Sequence, residues 1–258
     1  MRHLFLFLSA AFLSLSLRSQ DFNYTATADS VAWNELASQT ILNASNSAWS
    51  FSYRIPIGFT FNYLGRNFDS LTIETNGYLV FDAERYYAFT AFNQFGDHID
   101  SSGNHAVIGY ELSGTSGNQV LKIQYKDAAE FMEDTRSQSW QIWLSENGTV
   151  EVHVGPGNYR EAMMPHAYAD STVTTDSILG TQTTYFESVQ MVYKIDSSQY
   201  CRFGLLNQNM DTENRGLLLG GNAASPTSTP IDANTPGSVL IVTIPPQGYR
   251  YVFIPAHN

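Results

Sequence analysis

The acidic residues, the histidines and one cysteine are the groups in this sequence able to do chemistry, and their spacing decides which chemistry is open to them. Asp97-His98-x-Asp100 brings two carboxylates and an imidazole within four positions. That spacing matches no metal-ligand pattern and reads as a polar loop. Glu146 and Glu151 are the pair that would suggest glycoside hydrolysis, which needs two facing carboxylates. Asp127, Glu130, Glu133 and Asp134 recur at helical spacing and read as the solvated face of one short helix near Asp127 to Asp134. Cys201 stands alone, so no intramolecular disulfide is open to it, and it reads as a small buried hydrophobe. The sequence has no Gly-x-Ser-x-Gly, no His-Glu-x-x-His, no phosphate-cradling glycine loop and no EF-hand loop. Gly114-Thr115-Ser116-Gly117 has the wrong spacing for a nucleophile elbow and reads as a hairpin turn. The expectation is a chain with no catalytic residue, no metal and no cofactor.

Aromatic residues carry a different chemistry. Sugar C–H faces stack on rings while hydroxyls need amide or acid partners. Trp143, Gln141, Glu151 and His153 form one candidate group, and Tyr86 with Tyr87 forms another. Both are candidate ligand platforms. The alternative is that these rings belong to the core or are covered by another segment.

The elements that must position these groups are strands. Two Asn-Gly pairs, Asn76-Gly77 and Asn147-Gly148, mark hairpins. A two-residue turn at Asn147-Gly148 would pair Leu144 with Glu151 and put charge in an apolar face. A three-residue loop instead pairs Leu144 with Val150, Ile142 with Val152 and Trp140 with Val154, leaving Gln141, Trp143, Glu151 and His153 on the other face. The buried face sets register, so the second pairing is expected. The same argument pairs Ile73 with Leu79 and Leu71 with Phe81. Both turns then require glycine at positive φ, closing a bulge. Leu121, Ile123 and Tyr125 alternate with Lys122, Gln124 and Lys126, and Ile57, Phe59, Phe61 and Tyr63 make a further apolar face. Val239 to Ile244 and Tyr249 to Ile254 read as strands, and residues 225–237, rich in Pro, Ser and Thr, as a surface loop. The fold class is all-β: an antiparallel, jelly-roll-like β-sandwich whose hairpins carry glycine bulges, with little helix.

Arg2 and His3, then the apolar run Leu4 to Leu17, then Ser19, read as a secretory signal peptide over residues 1–19, leaving 20–258 as a single domain. Loss of Arg2 and Arg18 takes the net charge from −11 to −13. With so few, unclustered basic residues, nucleic acid and anionic membrane surfaces are excluded as partners. No segment after the leader is long and apolar enough to insert in a membrane. The expected location is secreted: extracellular, cell surface or periplasm.

A longer pattern runs through the chain. It opens with Phe51-x-Tyr53-x-Ile55-x-Ile57-Gly58-Phe59-x-Phe61-x-Tyr63-x-Gly65 and Ile73-x-Thr75-Asn76-Gly77. Phe95-Gly96-Asp97, Tyr110, Gly114 and Val120-Leu121-x-Ile123-Gln124-Tyr125 follow. Gln141-Ile142-Trp143-Leu144-x-Glu146, Val150-Glu151-Val152-His153-x-Gly155 and Pro245-Pro246-x-Gly248-Tyr249-x-Tyr251-x-Phe253-x-Pro255 complete it. It resembles the β-sandwich module found near the N-terminus of exported Bacteroidetes proteins, many of them cargo of the type IX secretion system. The resemblance implies secretion and a sandwich fold, and it implies no reaction. Asp followed by Ser and an aliphatic residue or Thr, the O-glycosylation pattern associated with that phylum, fits Ser30, Ser70, Ser171 and Ser177.

Three functions stay open at this point. The first is a non-catalytic interaction or adhesion module, with a surface glycan or another extracellular protein as partner. The second is a carbohydrate-binding module using exposed aromatics. The third, and least favoured, is a hydrolase.

Overall fold

The computed structural model describes residues 24–43, 52–83, 87–92, 95–96, 105–130, 133–157, 204–207, 215–230, 245 and 247–256. Every regular element among them is a strand: β1 Tyr24–Ser30, β2 Thr40–Ile41, β3 Ser52–Tyr63, β4 Arg66–Glu74, β5 Tyr78–Val80, β6 Tyr87–Thr90, β7 Phe95–Gly96, β8 Val107–Ser113, β9 Val120–Glu130, β10 Glu133–Ser145, β11 Val150–Gly157, β12 Gly204–Asn207, β13 Arg215–Asn222, β14 Ser225–Pro230 and β15 Tyr249–Pro255. They build two antiparallel sheets. One runs β1-β15-β11-β10-β9-β8-β2, with β7 also pairing β9, and the other runs β14-β13-β12-β6-β5-β4-β3.

Period-2 patterning explains how the sheets face each other. Along β3, Ile55, Ile57, Phe59, Phe61 and Tyr63 are buried while Arg54, Pro56, Gly58, Thr60 and Asn62 are exposed. In the first sheet Leu121, Ile123, Tyr125, Trp140, Ile142, Leu144, Val150, Val152 and Phe253 supply the opposing layer. Trp140 stacks on Tyr125 at 4.5 Å, and Phe61, Tyr63, Phe68 and Phe81 form a second aromatic cluster. Each such buried ring contributes on the order of 2–3 kcal/mol by removal of apolar area from water. The Tyr125 hydroxyl donates to the Glu74 carbonyl at 2.7 Å and ties the sheets together. Burial, and then the Glu74 charge, holds that phenol well above its ordinary pKa, so it stays a neutral donor.

Both hairpins take the register that the apolar face demands. Leu144 pairs Val150, Ile142 pairs Val152, Trp140 pairs Val154, and Ile73 pairs Leu79. Gly77 and Gly148 both sit at φ +88. The Gly148 amide donates to the Ser145 carbonyl at 2.8 Å, and the Tyr24 hydroxyl caps the Gly148 carbonyl at 3.1 Å. The expected Leu71–Phe81 pair is not formed. Phe81 leaves the ladder after Val80 and donates its amide to Tyr87 instead, at 2.8 Å, which turns the chain into β6.

Two expectations are corrected. Residues 127–134 are not a helix: β9 runs through Glu130, and β10 begins at Glu133. Asp127 takes φ +53 and its amide bonds the Ser139 hydroxyl, which bonds back to the Asp127 carboxylate. The resulting bulge shifts the alternation by one, so Ala128 and Ala129 are both buried and the period-2 signal breaks. Ser225–Pro230 is likewise a strand, not a loop. It pairs only with β13, at the edge of its sheet, where Pro226 and Pro230 withhold no amide that another strand needs. Residues 231–237 and the expected strand at 239–244 lie outside the described residues.

Candidate functional site

The outer face of the first sheet carries most of the side chains singled out from sequence. Register lines them up in rows across the strands. Asp29 lies opposite Arg250, Arg250 opposite His153, His153 opposite Gln141, Gln141 opposite Gln124, and Gln124 opposite Gly109. The next row places Glu151 opposite Trp143, Trp143 opposite Lys122, and Lys122 opposite Glu111.

The first row is covered at Gln141 and Gln124, while Asp29 at its end is exposed. Residues 31–39, between β1 at one edge of the sheet and β2 at the other, form a strap over it. Two glutamines buried to 0% and 1% exposure, Gln124 and Gln141, hold the strap by its backbone. The Leu36 amide donates to the Gln124 amide oxygen at 3.1 Å, and the Gln141 amide nitrogen donates to the Asn34 carbonyl at 2.8 Å. Gln141 also donates to Gln124 at 2.7 Å, and Lys126 pairs with Glu35 at 2.9 Å. Glycines make room at both ends. A Cβ on Gly155 would meet the Trp33 ring at 2.8 Å, and one on Gly109 would meet Gln39 at 2.5 Å.

In the second row Trp143 is half-buried. Its indole N–H donates to the Gln141 side-chain oxygen at 2.8 Å. The His153 ring stacks on it at 4.1 Å, and the Lys122 ammonium lies 4.5 Å from its centroid. Lys122 and His153 come from the strands on either side of β10, so the indole is already engaged by two side chains. His153 bonds Glu151 at 2.8 Å, Arg250 reaches Glu151 at 3.3 Å, and Arg250 clasps Asp29 through two nitrogens.

These contacts shift the carboxylates. Burial alone would raise Glu151, but the His153 hydrogen bond and charge and the Arg250 guanidinium outweigh it, and its pKa lies below the ordinary value. The hydrogen bond from Arg250 lowers Asp29. A carboxyl depressed in the folded state contributes stability above its unfolded pKa and loses it as pH falls through the folded value. Arg250→Gln should therefore lower the melting temperature modestly at pH 7, and the gap to wild type should close below about pH 4. A gap independent of pH between 7 and 3 would contradict these pairings.

Sequence reasoning placed Trp143, Gln141, Glu151 and His153 on one face, and they share it. It missed the strap that bonds Gln141 and Gln124, and the partners Arg250 and Asp29, which are remote in sequence. Glycines at outward-facing strand positions, Gly109 and Gly155, were the available signal for a close backbone approach. Tyr87 is buried against Phe68 with Arg66 over its ring, so it presents no open platform. Tyr86, Asp97, His98, Asp100, Ser171, Ser177 and Cys201 lie outside the described residues. Glu146 sits in the β10–β11 turn and accepts the Gln119 amide at 2.9 Å, away from any carboxylate pair. Among the described residues no group of three His, Cys, Asp or Glu is arranged to hold a metal.

Of the modification candidates, Ser30 is exposed at the end of β1. Ser70 is half-buried; its hydroxyl accepts from Arg54 at 2.8 Å and bonds the Asp69 carboxylate at 3.1 Å.

Comparison with known proteins adds one finding. No curated protein and no solved structure matches the chain. A family model described as NIDO related matches residues 23–193, a span that takes in β1 to β11 and therefore every residue of the two outer-face rows except Arg250 of β15. The match covers more than half of the sequence, and the chain belongs to the NIDO-related family.

Proposed function

We propose that the protein is an exported, non-catalytic interaction module that works by presenting a rigid β-sandwich surface. The observation that carries this reading is the state of the reactive groups on the outer face. Asp29, Arg250, Glu151, His153, Gln141 and Gln124 bond one another or the strap, so the groups best suited to acid–base work are consumed in holding the sheet. The leader-like residues 1–19 and the resemblance to exported Bacteroidetes modules support export, with type IX secretion as one route.

The test has two parts on one preparation. The full chain is expressed in a Gram-negative host, fractionated, and its N-terminus sequenced; a start at Gln20 or Asp21 outside the cytoplasm is expected. The exported protein is then assayed against glycoside, ester and peptide substrates, and no turnover is expected. Retention of Met1, or turnover that Glu151→Gln abolishes, would overturn the reading.

A further inference from the structure

The second sheet carries a groove that none of the candidate residues on the outer face line. In β3 and β4, Pro56 pairs Ser70 but the next pair is Phe61 with Phe68. Residues 57–60 and Asp69 thus have no partner in that ladder. Gly58 supports the bulge at φ +92, where its missing Cβ would meet Leu112 of the facing sheet at 2.6 Å. Beside it lies an open groove of about 680 Å³, within the range small-ligand sites occupy, lined by Arg54, Pro56, Thr60, Asp69 and Ser70 among others. Bulges give up ladder bonds and re-aim side chains, and they recur beside functional sites.

The chemistry of the lining narrows the ligand. Arg54 bonds Ser70 through one guanidinium nitrogen, and Ser70 bonds one Asp69 oxygen. That leaves further Arg54 N–H donors and the second Asp69 oxygen outside those two bonds, on residues that line the groove together with the exposed Thr60. One positive and one negative charge cancel. A phosphate would meet Asp69, a metal ion would meet Arg54, and an apolar ligand would strand both. A neutral polyol satisfies both at once, because each hydroxyl donates and accepts. The exposed Pro56 ring offers apolar surface to sugar C–H groups.

We propose that this groove binds a short neutral saccharide, which names a partner class for the interaction module proposed above and rests on that reading. The probes are cellobiose, chitobiose and maltotriose, titrated into the purified exported chain and followed by NMR. Binding of at least one is expected. Arg54→Met and Asp69→Asn should each weaken it about ten-fold, since each strands the other's polar partner. Trp143→Ala should leave it within about two-fold, being on the other sheet. Melting curves of the two exposed-site variants should overlay wild type. No binding by any probe, or binding unchanged in both groove variants, overturns the saccharide groove. Loss only in Trp143→Ala does the same while leaving the exported-module reading standing. Turnover of a probe would overturn that broader reading instead.

Discussion

Gly77→Ala is expected to cost about 3 kcal/mol, whereas Gly117→Ala should cost only about 1. Both glycines sit near φ +90, Gly77 at +88 and Gly117 at +91, so the backbone strain of adding a Cβ is shared. The surroundings differ. A Cβ at Gly117 meets nothing within 4 Å, while one at Gly77 would lie 2.7 Å from the Ala91 carbonyl oxygen and 3.4 Å from the buried Trp140 ring. That carbonyl is backbone beside Phe92, itself at φ +52 and packed on Trp140, so it has little room to give. The difference between the two variants in urea unfolding isolates the steric term. Equal losses would show that the β4–β5 turn does not pack against the 91–92 corner.

Gln141→Leu is expected to destabilise the protein by about 2–3 kcal/mol and to release the strap before the fold is lost. The substitution keeps volume but removes the amide that donates to the Asn34 carbonyl and to Gln124 and that accepts from Trp143. Each stranded buried polar partner costs on the order of 1 kcal/mol or more. The strap's other holds lie toward its ends, at Val31, Trp33, Ser38 and Gln39, or run through Gln124 and Lys126 to Leu36 and Glu35, so the loss should appear locally: amide exchange at residues 34–36 should rise well before that of β9 and β10. Uniform acceleration across the sheet, or none, would contradict the role assigned to the two buried glutamines.

What sequence could tell depended on whether the deciding contacts were local. The two Asn-Gly turns and their registers were legible because each apolar face is set by residues within one hairpin. The short helix was misread because the Asp127 bulge breaks period 2 within a few residues, and three- and four-residue spacings then look helical. The edge strand Ser225–Pro230 was hidden by its prolines. The strap has no periodicity of its own, and its two glutamine partners lie 88 and 107 positions away. The groove is hidden for a subtler reason. Alternation along β3 is unbroken from Ile55 to Tyr63, so the bulge leaves its trace only in β4, where Phe68 and Leu71 face inward across an odd spacing.

The claim at the centre of this account is that the chain recognises a partner without transforming it. Equilibrium titration of the exported chain with the three neutral oligosaccharides, with the recovered sugar analysed for cleavage, tests it most directly. The account predicts saturable binding, sugar recovered intact, and affinity lost in Arg54→Met and Asp69→Asn; no binding would remove the saccharide groove alone, and cleaved sugar would contradict the central claim.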